Sequence, residues 1–150
     1  MVISVRIKSS TSWKITNNQL SLPLIGRMVA EEEMKITEIK DILKAEVLVG
    51  KDQLDNVITG GGAADLMEDV LAAAAKGCAL LTGVTTEYVM QTAKITQVAA
   101  VVLVRGKQPP EKMVELARQY NIPLLLTKYS LFVACGRLYM NGIRGLDGSW

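Results

Sequence analysis

Asp55-Asn56-Val57-Ile58-Thr59-Gly60-Gly61-Gly62-Ala63-Ala64-Asp65-Leu66 joins a short apolar pair to three glycines and then to an Ala/Leu/Met/Val-rich segment. The order reads as strand, glycine turn, helix. Glycines at such a junction let the backbone take positive φ and let a neighbour come close, while a new helix offers unpaired N–H groups and the positive end of its dipole. The pattern predicts an anion site at Thr59, Gly60, Gly61 and Gly62. A tight connection with no ligand would use the same residues.

Working outward, the helix after the glycines is expected over residues 63–76, with Leu66, Val70, Leu71 and Ala74 on its apolar face and Lys76-Gly77 as its stop. Before them, Val57-Ile58 reads as the strand that meets the glycines and Val47-Leu48-Val49 as another. A short amphipathic helix capped by Thr37 precedes these. After them come a doubly buried strand at Cys78-Ala79-Leu80-Leu81, a short helix capped by Thr86, and the valine-rich run 98–104 for the sheet centre. Pro109-Pro110 open a helix carrying Met113, Leu116, Ala117 and Tyr120 on one face. Ile122-Pro123-Leu124-Leu125-Leu126 forms the last strand, with the proline tolerable only near its beginning, and Leu131, Cys135 and Leu138 stripe the last helix. Strands alternating with helices at this spacing predict an α/β fold, a three-layer α/β/α sandwich around a mainly parallel sheet.

Residues 1–33 read differently. Residues 2–7 alternate like a half-buried strand, but no helix pattern develops, so a poorly structured N-terminal extension is expected. The alternative is a mis-assigned start, with Met34 the true one, because the codons of Glu31-Glu32-Glu33 are purine-rich like a ribosome-binding site. The domain is expected over residues 34–142, and residues 143–150 as a loose tail from which Trp150 packs back.

Composition narrows the function. The chain has 150 residues, enough for one domain with a real core, and is 49% hydrophobic but only 5% aromatic. Its 17 basic and 15 acidic residues leave a net charge of +2 with the signs interspersed, which does not call for nucleic acid. There is no histidine, so Ser-His-Asp, Cys-His and histidine-zinc arrangements are excluded. Two cysteines, Cys78 and Cys135, are too few for an ordinary iron–sulfur or structural zinc site within one subunit, and buried reduced thiols are expected. No run is long enough for a membrane span, no cofactor is implied, and a cytoplasmic setting follows.

In an open parallel sheet, ligands gather beyond the carboxyl ends of the strands. The expected strands end in Thr59 to Gly62, in Thr82-Gly83, in Arg105-Gly106 and in Thr127-Lys128-Tyr129-Ser130, and Asp65 follows the glycines. Such a rim suits a phosphate or carboxylate, although strand ends are often polar for turn reasons alone. Neither G-x-x-x-x-G-K-[ST] nor G-x-G-x-x-G is present, which argues against ATP hydrolysis. Asp55, Asp65 and Asp69 suggest Mg²⁺, but a solvated helix face explains them more simply.

The stretch from Asp55 to Gly61, followed by Ala64-Asp65-Leu66, resembles the signature of DRTGG domains. The order of the valine-rich strand, the Pro109-Pro110 helix and the Thr127-Lys128 strand end is similar to the same domain across residues 34–142. Asn56 stands where the family name's arginine is expected, so no role needing a cation there is carried over. The resemblance implies a regulatory or ligand-binding module, of the kind found beside CBS pairs, within long phosphate acetyltransferases, or as small separate proteins with hydrogenase-related labels. It implies a fold similar to the N-terminal domain of HPr kinase/phosphorylase.

The first expectation is a non-enzymatic sensor that binds a small anionic ligand, with a nucleotide favoured over free phosphate, and that forms a homodimer. The second is an accessory interaction protein of a redox or hydrogenase-related complex. The third is an enzyme on a phosphorylated substrate using Asp65 and Lys128, and it lacks an identifiable catalytic constellation.

Overall fold

A computed structural model of the chain describes residues 33–145. The expectations for residues 1–32 and for Trp150 lie outside the described residues.

The elements run β1 (Met34–Lys35), α1 (Ile36–Leu43), β2 (Glu46–Val49), a 3₁₀ turn at Lys51–Gln53, β3 (Val57–Ile58), β4 (Gly61–Ala63), α2 (Met67–Ala73), β5 (Ala79–Thr82), α3 (Glu87–Thr96), β6 (Ala100–Leu103), α4 (Glu111–Tyr120), β7 (Leu124–Leu126) and α5 (Leu131–Met140). Five strands form one sheet in the order β2-β7-β6-β5-β4. β4, β5, β6 and β7 are mutually parallel, and β2 pairs antiparallel with β7 through Glu46↔Leu126 and Val47↔Leu125. The fold is the expected α/β sandwich around a mainly parallel sheet.

Alternation along each strand splits the core in two. Leu80, Val101, Leu103, Leu124 and Leu126 join Met67 and Val70 of α2, Val89, Met90 and Ala93 of α3, and Met113 and Ala117 of α4. Ala79, Leu81, Ala100, Val102 and Leu125 instead meet Ile36, Ile39 and Leu43 of α1 and Ala134 and Leu138 of α5. The central strands are buried on both faces, which is why they read as continuous apolar runs.

The structure corrects the sequence reading in the deciding stretch. Val57-Ile58 leaves the main sheet and pairs antiparallel with Met34–Lys35 as a two-stranded ribbon. The strand that joins β5 is the glycine run itself, with Gly61 beside Ala79, Gly62 beside Leu80 and Ala63 beside Leu81. The helix then starts at Met67, not at Ala63, and buries Met67 and Val70, leaving Leu66 and Leu71 exposed. Glycine is a poor helix former, whereas pairing beside β5 satisfies its backbone: Ala79 N–H donates to the Gly60 carbonyl at 2.9 Å.

Two smaller corrections follow the same logic of local hydrogen bonds. α1 is capped through Lys35, whose N–H donates to the Glu38 carboxylate at 2.9 Å, and not through Thr37. Ile143, assigned to the tail by sequence, is buried in the α1/α5 core and lies over Gly61, where an added Cβ would come within 2.7 Å of its Cγ2.

Candidate functional site

The carboxyl ends of the parallel strands do form one rim. Asp65 follows β4, Thr82-Gly83 closes β5, Arg105-Gly106 follows β6 and Thr127-Lys128 follows β7. Thr59, Gly60, Gly61 and Gly62 do not reach it. Gly61 is level with Ala79, the first residue of β5, and thus about 10 Å short of the rim at the rise of an extended chain. Thr59 lies at the opposite end of the sheet, where its hydroxyl donates to the Lys76 carbonyl at 3.0 Å and its N–H to the Gly77 carbonyl at 3.0 Å. The Gly61 N–H is given to the Arg144 carbonyl at 2.9 Å, and the glycine run lies apart from the rim.

On the β4/β5 side of the rim, Asp65 is the organising group. Its Oδ1 accepts from the Gly83 N–H at 2.7 Å and from the Thr82 hydroxyl at 3.1 Å, and the Thr82 hydroxyl in turn accepts from the Val84 N–H at 3.1 Å. An aspartate that bonds a neighbouring loop this way competes with helix formation, which helps delay α2 to Met67. The other oxygen, Oδ2, lies 3.7 Å from Nη2 of Arg105. Both side chains are about half exposed, 54% for Arg105 and 48% for Asp65, so the pair contributes at most about 1 kcal/mol.

Arg105 is held by its backbone. Its φ of 65° and that of Gly106, 64°, place two consecutive residues in the left-handed region. Left-handed backbone is ordinarily unfavourable for arginine by roughly 1–2 kcal/mol. It is offset here by hydrogen bonds, the Arg105 N–H to the Tyr129 carbonyl at 2.7 Å and the Gly106 N–H to the Thr127 carbonyl at 2.8 Å. The turn lays the guanidinium directly over Gly83, where any Cβ would run into it. Gly83 is a glycine for close approach and not for its φ.

On the β7/β2 side lies a cleft of about 410 Å³, lined in part by Lys44, Glu46, Gly106, Gln108, Lys128 and Tyr129. Lys44 is delivered by the left-handed end of α1, at φ 47°, and that helix end is tied to the rim by the Thr127 hydroxyl, which donates to the Leu43 carbonyl at 2.7 Å. Lys44 and Lys128 make no ion pair among the described residues, so the cleft carries two lysines without a salt-bridge partner and one carboxylate, Glu46. Lys44, Glu46 and Gln108 were missed by the strand-end reading, which did reach Tyr129. β2 is antiparallel, so its beginning, not its end, comes to the rim; no local signal in residues 44–49 announces that direction.

The cysteines are free and lie against opposite faces of the sheet, Cys78 in the core beside α2 and α3 and Cys135 against the core beside α1. Burial pushes both thiols above their ordinary pKa, partly offset at Cys78 by a backbone hydrogen bond at Ala75. Among the described residues no group of three or more His, Cys, Asp or Glu side chains could hold a metal ion, and no helix is long and apolar enough to cross a membrane.

With this geometry in place, comparison with known proteins gives a family. A search of curated proteins finds no match. Among solved structures, the chain is similar to the CBS and DRTGG domains of the regulatory region of Clostridium perfringens pyrophosphatase, complexed with its activator diadenosine tetraphosphate. The TM-score is 0.59 at 17% identity, and the match covers 84% of this chain and 61% of that one. This chain thus spans less than two thirds of that neighbour, and at this identity the likeness is one of fold. Residues 38–139 match the family described as the DRTGG domain, a span that includes the Asp65 knot and both lysines of the cleft. The chain belongs to the DRTGG domain family.

Proposed function

We propose that this chain is a regulatory module without catalytic activity, which senses a small anionic ligand at the carboxyl rim of its sheet. The observation that carries this reading is the cleft at Lys44 and Lys128, where two ammonium groups without ion-pair partners among the described residues flank the left-handed backbone at Gly106. A phosphate or carboxylate bound between them would accept hydrogen bonds from both. Arg105 is the neighbouring cation, but Asp65 already faces it, so it contributes less.

A nucleotide is the favoured ligand class because a phosphate held by one or two cations needs additional packing to reach micromolar affinity. The similar regulatory region of the pyrophosphatase is complexed with a dinucleoside polyphosphate, which supports a nucleotide; CBS domains accompany the DRTGG domain in that protein. A chain without histidine, with Asp65 turned to Arg105 and Lys128 on the other side of the Arg105–Gly106 turn, supports sensing over acid/base chemistry. A cytoplasmic setting belongs to the same proposal.

The experiment is a thermal-shift screen of adenine and guanine nucleotides, acetyl phosphate and coenzyme A. Ligand at a hundred times its dissociation constant adds about 2.7 kcal/mol of stability. Lys128→Ala should abolish the shift, Arg105→Ala should weaken it, and Gly61→Glu should leave it unchanged. If no ligand stabilises the unaltered chain, or if Lys128→Ala responds as it does, the sensing role at this cleft is wrong.

A second reading, an accessory subunit of a larger redox or regulatory complex, has one observation in its favour. On α5, Phe132 is 88% and Met140 87% exposed, with Val133 and Tyr139 partly exposed beside them. Large apolar side chains grouped on one helix mark interaction surfaces. Self-association through this helix would give a homodimer. Light scattering of the unaltered chain and of Phe132→Ser tests it: a monomer in both at micromolar concentration rejects the homodimer.

A further inference from the structure

The two longest outer helices near the end of the chain differ on their outward faces. α4 turns Glu111, Lys112, Glu115 and Arg118 to solvent, as a helix packed on one side should. α5 carries a single charged residue, Arg137, between Leu131 and Met140. Its inner face packs on the core through Ala134 and Leu138, yet Phe132, Val133, Tyr139 and Met140 are exposed on the outer one. A helix that is apolar all round is one that is covered all round.

The exposed residues are arranged about Gly136. At about 100° per residue, Phe132 and Tyr139 fall about 40° and 60° to one side of it, and Met140 and Val133 the same angles to the other. Along the axis the four are balanced as well, Val133 with Tyr139 and Phe132 with Met140 lying equally far before and after the glycine. Gly136 is itself exposed, and among the described residues no atom lies within 4 Å of where its Cβ would be. Its own chain therefore does not require a glycine there. Glycine is unfavourable in mid-helix, so its place at the centre of an apolar stripe points to a backbone that comes close from outside. Arg137 lies at the margin, about 100° round from Gly136. Its guanidinium is drawn back onto its own chain, 4.3 Å over the Tyr129 ring.

We propose that α5 packs antiparallel on α5 of a second copy, across a twofold axis at Gly136. The proposal rests on the reading of α5 as an interaction surface and fixes both its occupant and its arrangement. The occupant is a second copy because the stripe has the symmetry that such an axis requires: each residue before Gly136 is brought level with the one equally far after it. Phe132 then lies over Tyr139 of the second copy and Val133 over Met140 of the second copy, so aromatic meets aromatic and aliphatic meets aliphatic. Facing glycines let the helix axes approach to the near end of the usual range of about 8–10 Å. A parallel pair would set Phe132 against Val133 and Tyr139 against Met140, and would have no use for the balance about Gly136. It would also align the two helix dipoles, which the antiparallel pair opposes.

Sedimentation equilibrium and cross-linking of the full chain test this. The unaltered chain should be a dimer at micromolar concentration. Gly136→Leu meets open space in its own chain and improves helix propensity, so the thermal midpoint of the dilute monomer should hold or rise. The same variant should raise the dimer dissociation constant at least about tenfold, because it fills the centre of the interface. In a Cys135→Ser background, an oxidised equimolar mixture of Val133→Cys and Met140→Cys chains should form a disulfide between positions 133 and 140. Neither chain alone should cross-link, since like positions stand about 9 Å and about 12 Å apart along the axis. A monomer at micromolar concentration overturns the proposal together with the homodimer reading. A dimer whose dissociation constant ignores Gly136→Leu, or in which like positions cross-link best, overturns this arrangement while the homodimer reading stands.

Discussion

β4 and β6 run in the same direction two places apart in one sheet, yet different forces hold them. β6 places Val101 and Leu103 on one face and Ala100 and Val102 on the other, each at 0% exposure, so apolar area fixes it. β4 is Gly-Gly-Ala and buries almost no side chain. It is a strand because its backbone is paired with β5 on one side and with Arg144 on the other, and because Ile143 covers Gly61. A strand without side chains takes its place from what neighbouring segments lay over it.

The comparison breaks first at the centre. Leu103→Ala should lower the unfolding free energy by about 3 kcal/mol, the usual loss for a buried leucine with its cavity, whereas Ala63→Gly on β4 should fall well under that. Urea unfolding measures both, and comparable losses would mean that the edge strand is packed like the central one.

A smaller effect is expected where β4 touches its cover. Gly61→Ala drives a Cβ against Ile143 and should destabilise by about 1–2 kcal/mol through overpacking. Because the opposing atom is the end of that side chain, the combination with Ile143→Ala should fall short of the two single losses together, with a coupling of at least about 0.5 kcal/mol. Strict additivity would show that Ile143 is not what Gly61 accommodates.

The two thiols sharpen the comparison through pH. Cys78 sits at the foot of β5 inside the core, and Cys135 borders the open cavity beside β4. Burial raises both, so the folded state holds their protons longer than the unfolded chain. That contribution to stability is fully present below the ordinary thiol pKa of about 8.5 and is lost as pH rises toward the raised folded values. Urea unfolding from pH 7 to 10 should show the decline, shallower in Cys78→Ala; an unchanged slope in that variant would rule out the thiol as its source. A thiol reagent should modify Cys135 well before Cys78.

The smallest stability effect belongs to the rim. Arg105→Asn loses a half-exposed ion pair but puts a residue tolerant of left-handed backbone at φ 65°, so the net change should stay within about 0.5 kcal/mol. Any ligand-induced thermal shift should nevertheless shrink. A large loss of stability would mean that the guanidinium over Gly83 is structural.

The amino-acid sequence by itself determined the alternation of strands and helices, the doubly buried central strands and the residues that close β5, β6 and β7. These are readable because apolar runs, prolines and glycine stops are local. Helices α4 and α5 fall where the spacing of Met113 with Ala117 and of Leu131 with Leu138 puts them. The placement of Thr82, Gly83, Arg105, Gly106, Thr127 and Lys128 at one rim followed from strand direction, whereas Asp65 reaches it by following the glycine strand.

What only the tertiary structure decided were pairings between distant segments. Gly60 to Gly62 suit a turn or an edge strand equally well, and the choice depends on whether β5 and residues 143–145 are there to bond them. The direction of β2, and with it the arrival of Lys44 and Glu46 at the cleft, is set by its pairing with β7. The left-handed turn at Arg105 is held by carbonyls of Thr127 and Tyr129, more than twenty residues away. Periodicity records which face a residue buries, but not which other segment supplies the partner for its backbone, and on that partner the glycine run and the charged cleft both depend.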